Sequence, residues 1–253
     1  MTKDLEFLKK INIAHRGLHS QENDIPENSL LAFQKAIDNG DAIEIDLHLL
    51  ADGHVVVFHD DNLKRMTGYN KLIKNCTLEE IKDLRLLNTD EYIPLLQEVL
   101  DLVCGQVLLD IEFKFDQKVG LLESKACELL DNYQGQFVVK SFNPLTVNWF
   151  RKNRPEYIRG QLTTAAFGGV KKQINIFRRF VLKSMVANFV TRPDFVAFDI
   201  RTVSKRQLRR WEDRLMLWTV RTQEEFALVK KYSNSFIYEN FDINEVINQD
   251  GTI

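Results

Sequence analysis

The stretch "IEIDLHLLADGHVVVFHDD", residues 43–61, decides how this chain is read. Apolar and polar residues alternate in its first half, and a β-branched run fills its second, so both halves read as strands. Between them lies "LADG". Parallel strands need a crossover of a dozen or more residues, so a link this short makes an antiparallel hairpin. The alternation puts Glu44 and Asp46 on one face of the first strand, and the second strand runs out into His59-Asp60. A strand that only packs a core has no use for these groups.

Outward from the hairpin, further apolar runs predict strands over 11–17, 106–114, 136–142, 157–164, 195–200, 215–220 and 235–241, beside 42–49 and 54–60. Helical patterns lie between them. "ENSLLAFQKAIDNG" carries an Asn28 or Ser29 cap and a Gly40 stop. "TLEEIKDLRLL" opens on Thr77 with Glu80 three residues on, a capping-box spacing. "SKRQLRRWEDR" and "TQEEFALVKKY" have the same helical character. Strands alternating with helices indicate parallel βα units. Once the hairpin return is set aside, eight strands remain, the closure number of a TIM (β/α)8 barrel at this length. The expected fold is therefore α/β, a TIM barrel with a hairpin excursion after its second strand. With no internal repeat, low-complexity run or linker, residues 1–253 read as one domain.

Composition bounds the function. Apolar residues make up 44 % and charged residues 28 %, ordinary for a globular chain, and the net charge of −2 does not point to nucleic acid. Cys76, Cys104 and Cys127 are odd in number and widely spaced, which suits plain thiols in a reducing compartment. "MTKDLEFLKKINIAHRG" lacks an apolar leader core, and no run approaches the ~20 apolar residues of a membrane span. A cytoplasmic location is expected.

Functional groups of a βα barrel gather at the C-terminal strand ends. Here those ends carry His15-Arg16-Gly17, Glu44 and Asp46, Glu112 and Lys114, Lys140-Ser141-Phe142, and Trp218-Thr219. Three carboxylates in one mouth repel one another and are costly to desolvate unpaired. Arg16 and Lys114 compensate in part, and one divalent cation compensates for the rest. All-oxygen ligation favours Mg²⁺ or Ca²⁺ over zinc; a salt-bridged rim without metal is the competing account. His15 and His59 are the candidates for proton transfer. His19, His48 and His54 read as structural or exposed, and His48, two residues after Asp46, is also a candidate to share its face and support the site. Arg16 and Lys114 beside a metal suit an anionic substrate, phosphate above all.

These residues match a known pattern. "AHRG", "PENSLLAFQKAIDNG", "IEIDLHLLADGHVVVFHDDNLKRMTG", "IPLLQEVL", "LDIEFK" and "WTV" resemble the glycerophosphodiester phosphodiesterase family, in order from about residue 13 to 114 and again at 141–142 and 215–220. The resemblance implies a TIM barrel with a short insertion over about 60–98. It implies that Glu44, Asp46 and Glu112 hold the metal, that His15 and His59 are the acid/base pair, and that Arg16 and Lys114 contact the phosphate. Asn28 matches a motif residue near the site, and helix capping accounts for it equally well. The implied reaction takes glycerophosphodiesters such as glycerophosphocholine or glycerophosphoethanolamine to glycerol 3-phosphate and an alcohol, through a cyclic phosphate. Relatives act on lysophospholipids or sphingolipid head groups. A lysophospholipase D and an inactive phosphodiester-binding barrel are therefore the alternatives.

The chain departs from the family in two places. Where members carry a "TD" or "TN" pair at the last strand's end, this chain has "SNSFIYENFDINEV", with Glu239-Asn240 in that place and no role assigned to them. Lys140 precedes the matched Ser141-Phe142 pair and is expected to point away from the barrel interior. Phe142 and Trp218 are expected to wall the substrate pocket, with barrel packing as the plain account. Asp60 is expected to orient His59, and Asp52 to serve the turn. The segment 165–192 carries Lys171, Lys172, Arg178, Arg179, Lys183 and Arg192, no acid, and an apolar stripe of Ile174, Phe177, Val181 and Met185. It reads as an outer helix with a basic face, or as a weak peripheral contact with anionic membrane.

Overall fold

Each apolar run identified above becomes a strand: β1 (Ile11–Ala14), β2 (Ala42–Leu49), β3 (Val55–Val57), β4 (Leu109–Phe113), β5 (Phe137–Ser141), β6 (Arg159–Thr163), β7 (Phe195–Asp199), β8 (Leu215–Val220) and β9 (Ser235–Tyr238). A computed structural model describes residues 3, 5–6, 11–115, 118–164, 187–211, 214–233 and 235–240. β1 pairs in parallel with both β2 and β9, and the remaining strands follow in the order β2-β4-β5-β6-β7-β8-β9. The ladder thus closes into an eight-stranded parallel TIM barrel. β3 is the exception. It lies antiparallel to β2, with Leu47 opposite Val57 and Leu49 opposite Val55, which is the hairpin that "LADG" dictates, and on its other side Val56 bridges Leu95.

The helices that coat the barrel start and stop on local chemistry. α1 (Leu30–Asn39) is capped by Ser29, whose Oγ accepts from the Ala32 amide at 3.1 Å, and it ends at Gly40 in the left-handed region. α2 (Lys64–Thr67) and α3 (Leu78–Ile81) are single turns in the insertion that follows β3. The Thr77–Glu80 capping box forms, and the Asp52 carboxylate also accepts from the first amide of α3, at 2.8 Å. The "TLEEIKDLRLL" helix stops at Ile81, short of its pattern, because the chain turns to bury Leu86 and to bridge Arg85 with Tyr92. α4 (Leu96–Val103), α5 (Leu121–Leu130), α6 (Pro144–Asn153), α7 (Asn188–Thr191), α8 (Lys205–Trp211) and α9 (Gln223–Val229) complete the described set. None is long and apolar enough to cross a membrane. Residues 165–186, with the apolar stripe and all the cations of that segment except Arg192, lie outside the described residues.

Strand alternation sorts the side chains into two shells. Ile43, Ile45 and Leu47 face the helices and pack with Phe33, Leu96 and Val99. Ala42 faces inward and joins Ile13, Val138, Ala197, Met216 and Ile237 in the barrel. Along the inward rows of β2 and β4 the apolar residue comes first and the polar ones later, and in the β5 row Lys140 follows Val138. β2 reads Ala42, Glu44, Asp46. The β4 row reads Leu108, Asp110, Glu112. The β5 row reads Val138, Lys140, Phe142. The barrel is therefore dry at its N-terminal end and charged towards its C-terminal end. A third apolar cluster, including Val56, Phe58, Leu63, Met66, Ile73 and Ile81, gives the insertion its own small core.

The β5 row corrects the expectation for Lys140. Its side chain points into the barrel, not away from it. It is buried, bonded to Asp110 and 3.3 Å from the Glu44 carboxylate. The matched neighbour Ser141 points the other way and donates to the Phe113 carbonyl at 2.8 Å. Removing a buried partner strands the other charge. Lys140→Met should therefore lower the unfolding free energy in urea by about 3–5 kcal/mol. Lys140→Met combined with Asp110→Leu should recover most of that loss.

Candidate active site

The "HRG" turn places the first groups. Arg16 adopts a left-handed backbone (φ 58°), and Gly17 follows at φ 78°. A Cβ on Gly17 would lie 2.8 Å from the Ala32 carbonyl carbon, so only glycine lets the chain pass α1 this closely. The turn aims the Arg16 amide at Glu44 Oε2, 3.2 Å away. The guanidinium lies between carboxylates, with Nε 3.5 Å from Asp46 Oδ2 and a terminal nitrogen 2.9 Å from Glu27.

Glu44, Asp46 and Glu112 meet as the parallel register requires, because Asp46 lies opposite Glu112 on the neighbouring strand. Each offers an oxygen, the three oxygens lie within 4.8 Å of one another, and all three residues are buried. Lys114 Nζ lies 2.7 Å from Asp46 and 2.6 Å from Glu112. Asn28 donates to Asp46 at 2.9 Å. Since Ser29 is the helix cap, holding Asp46 is what Asn28 does. Glu44, Asp46, Asp110 and Glu112 set four negative charges against the three positive ones of Arg16, Lys114 and Lys140. The imbalance shows in the titration. Burial first, then Asp46, pushes the Glu44 carboxyl up to about 8. Burial also works against ionised Asp46, but Lys114, His59 and Arg16 outweigh it and hold that carboxyl well below the usual range. This donor set fits a hard divalent cation. The ligands are all oxygen, they converge, and they carry charge in excess of the protein's own cations.

The two histidines are set by different strands and held alike. His15 follows β1, its Nδ1 contacts Glu239 Oε2, and its Nε2 is 4.0 Å from Glu44 Oε2. Burial pushes its imidazole below the ordinary value, against the opposing pull of Glu239. His59 comes back along the hairpin and places Nδ1 2.7 Å from Asp60. Arg65 clamps Asp60 at 2.6 and 3.0 Å, then reaches Glu27 at 2.6 and 3.0 Å. Although burial opposes it, His59 and Arg65 hold the Asp60 carboxyl well below its usual range. A continuous chain of charge thus runs from His59 through Asp60, Arg65 and Glu27 to Arg16. His48 is buried, with Nε2 3.3 Å from the His59 carbonyl. His54 is exposed beside Asp52, as expected, and His19 is half-buried with Nε2 3.9 Å from Glu239. Phe142 and Trp218 meet edge to face at 5.7 Å, packed above the barrel's apolar interior.

The structure brings together the sequence candidates His15, Arg16, Glu44, Asp46, Glu112 and Lys114, pairs Phe142 with Trp218, and sets His59 on the chain that reaches Arg16. It adds Asp110, Lys140, Glu27, Arg65 and Glu239. Asp110 could have been read from its spacing of two from Glu112. Arg65 could not, because only the folded insertion carries it to Glu27.

Known proteins resemble this chain in sequence and in fold. The sequence model of the glycerophosphoryl diester phosphodiesterase family matches residues 15–241. A glycerophosphodiester phosphodiesterase of Caldanaerobacter subterraneus subsp. tengcongensis is 34 % identical over 166 residues, which is 61 % of this chain and 67 % of that protein. A lysophospholipase D of Homo sapiens is 37 % identical over 144 residues, 52 % of this chain and 44 % of its own length. Less than half of that second relative is therefore spanned. The structure of an Oleispira antarctica phosphodiesterase in complex with the product sn-glycerol-3-phosphate superposes with a TM-score of 0.78 over 95 % of this chain and 97 % of that one. At 21 % identity that likeness is one of fold. With a parallel barrel of this order and a family match running across residues 15–241, the chain belongs to the glycerophosphoryl diester phosphodiesterase family.

Proposed function

We propose that the chain, taken as one catalytic domain over 1–253, hydrolyses glycerophosphodiesters such as glycerophosphocholine and glycerophosphoethanolamine to glycerol 3-phosphate and the free alcohol. The observation that carries this reading is the convergence of the Glu44–Asp46–Glu112 oxygens with His15, Arg16 and Lys114 at one barrel mouth. In this reading, Glu44, Asp46 and Glu112 hold one Mg²⁺ or Ca²⁺ ion. Such an ion, when bound, polarises a phosphate oxygen and acidifies the neighbouring glycerol hydroxyl. Arg16 and Lys114 face the remaining phosphate charge. Phe142 and Trp218 wall the apolar side of the substrate.

His15 acts as the base and His59 as the acid. His15 is the more enclosed side chain, 14 % exposed against 33 % for His59, and it stands beside Glu44. His15 takes the proton of the glycerol hydroxyl as that oxygen attacks phosphorus. The bond from phosphorus to the head-group alcohol breaks, and His59 protonates the departing oxygen at the more open position. Water then opens the cyclic phosphate with the roles reversed, so both histidines return to their starting states. Unpaired Cys76, Cys104 and Cys127 support a reducing, cytoplasmic setting. A lysophospholipase D activity is the second reading. It is favoured by Phe115, 49 % exposed after β4, and Leu145, 62 % exposed in the first turn of α6, which offer apolar surface beside the mouth.

The direct test is release of glycerol 3-phosphate from glycerophosphocholine, with lysophosphatidylcholine as comparator, in Mg²⁺, Ca²⁺ and EDTA. EDTA should abolish turnover. His15→Ala and His59→Ala should each lower kcat by about 10²–10⁴-fold while the thermal stabilisation by added divalent ion persists. Near-normal turnover in either variant would remove its histidine from the mechanism.

The Glu44 carboxyl supplies a pH test. Its folded value of about 8 lies above its ordinary 4.5, so the unfolded chain releases this proton first. Metal-free protein should therefore lose stability as pH rises from about 4.5 to about 8. Metal binds the ionised carboxylates, so its affinity should rise over the same window. The gap in Tm between Mg²⁺ and EDTA should widen from about pH 6 to about pH 9, read by differential scanning fluorimetry. A gap that narrows with pH would contradict this set of ligands.

A further inference from the structure

Glu239 lies just past the end of β9, beside the mouth, and it carries no role in the reaction described above. We propose that Glu239 is the positioning residue of His15, fixing which ring nitrogen carries the proton, as Asp60 does for His59. The inference rests on the base role given to His15 under the proposed function.

Four observations meet on this carboxylate. First, β1 and β9 are parallel neighbours with Ala14 opposite Tyr238, so the next inward residues, His15 and Glu239, emerge side by side. Second, the backbone fixes both of them. The His15 amide donates to the Tyr238 carbonyl at 2.9 Å, and the Glu239 amide donates to the Val220 carbonyl at 3.0 Å. Third, the two carboxylate oxygens are divided between partners. Oε2 contacts His15 Nδ1, and Oε1 accepts from Arg221 Nε. Fourth, the same pattern recurs on the other histidine, where Asp60 takes His59 Nδ1 on one oxygen and is clamped by Arg65. Two histidines from different strands thus have the same support, a carboxylate on Nδ1 and an arginine behind it. His19 Nε2 is 3.9 Å from Glu239 Oε2, outside hydrogen-bond reach, so His15 is the bonded partner.

The chemical consequence follows from the two nitrogens. With Nδ1–H donating to Glu239, the lone pair of a neutral His15 sits on Nε2. That is the nitrogen on the side of Glu44. Free neutral imidazole side chains favour the opposite tautomer, in which Nε2 carries the proton and is no base. Glu239 reverses that preference and remains to stabilise the imidazolium once His15 has taken a proton. Arg221 donates to the other carboxylate oxygen and so holds the carboxylate against the ring.

The test compares wild type, Glu239→Ala and Glu239→Gln as full chains. Long-range ¹H–¹⁵N spectra of the histidine rings are recorded in EDTA at about pH 8, with the His15 signals assigned by their loss in His15→Ala. Wild type should show His15 protonated on Nδ1. Glu239→Ala should move it towards the Nε2-protonated form and lower kcat by about 10²–10⁴-fold, with KM changed less than about threefold. Glu239→Gln preserves shape and an acceptor oxygen. It should retain the tautomer and still lose at least about tenfold in kcat, and it carries the test if the alanine variant does not fold. A wild-type His15 protonated on Nε2, an unchanged tautomer in Glu239→Ala, or an unchanged kcat in Glu239→Gln would overturn the proposal. If wild type turns over no phosphodiester, the functional reading fails, and the ring spectra still judge the Glu239 contact.

Discussion

The interior of the barrel holds one more carboxylate than it has cations to answer it. Glu44, Asp46, Asp110 and Glu112 are buried, and Arg16, Lys114 and Lys140 are the positive groups among them. Desolvating an ionised carboxylate costs several kcal/mol, and attraction offsets that cost only with good geometry. A parallel barrel can supply such geometry. Its register fixes which residues on neighbouring strands share a layer, and closure removes the freedom to move apart. The lower layer of Ile13, Ala42, Val138 and Met216 provides the packing that holds the charged layer in place. The remaining negative charge leaves one carboxyl, Glu44, poised between taking a proton and facing a cation.

Around that centre the chain repeats one device. A strand end presents a histidine, a carboxylate takes its Nδ1, and an arginine holds the carboxylate. For His59 the three come from one short stretch, residues 59–65. For His15 they come from β1, the end of β9 and the residue after β8, which only closure of the barrel makes neighbours. Arg65 then ties the two halves of the mouth together through Glu27 and Arg16.

Much of this was legible in the chain itself, for physical reasons. The four residues of "LADG" cannot cross over a sheet, so β3 had to be a return strand. Period-two spacing put Glu44 with Asp46 and Glu112 with Lys114, and the structure keeps both pairs together at the mouth. Lys140 turns inward because strand alternation places 138, 140 and 142 on one face, whatever its neighbours Ser141-Phe142 resemble in sequence. Glu239 needed the β1–β9 register, a contact between the two ends of the barrel that no local pattern encodes. Glu27 and Arg65 were out of reach for a related reason, since α1, β2 and β3 separate them in sequence and only the folded insertion brings them together in space.

The insertion bears on how the molecule moves. Among the barrel strands β3 is bonded to β2 alone, it also meets Pro94 and Leu95, and the apolar side chains that follow it gather into a cluster of their own. Releasing this arm would break the β2–β3 ladder, the Val56–Leu95 bridge and the Arg65–Glu27 pair, and would uncover Val55 and Val57, which pack in the main core. His59 is thus held over the mouth from two sides, by the insertion's own small core and by the main core beneath β3. One histidine is carried by a stave of the barrel and the other by a strand laid along one stave, so the spacing of the pair is set where those two cores meet.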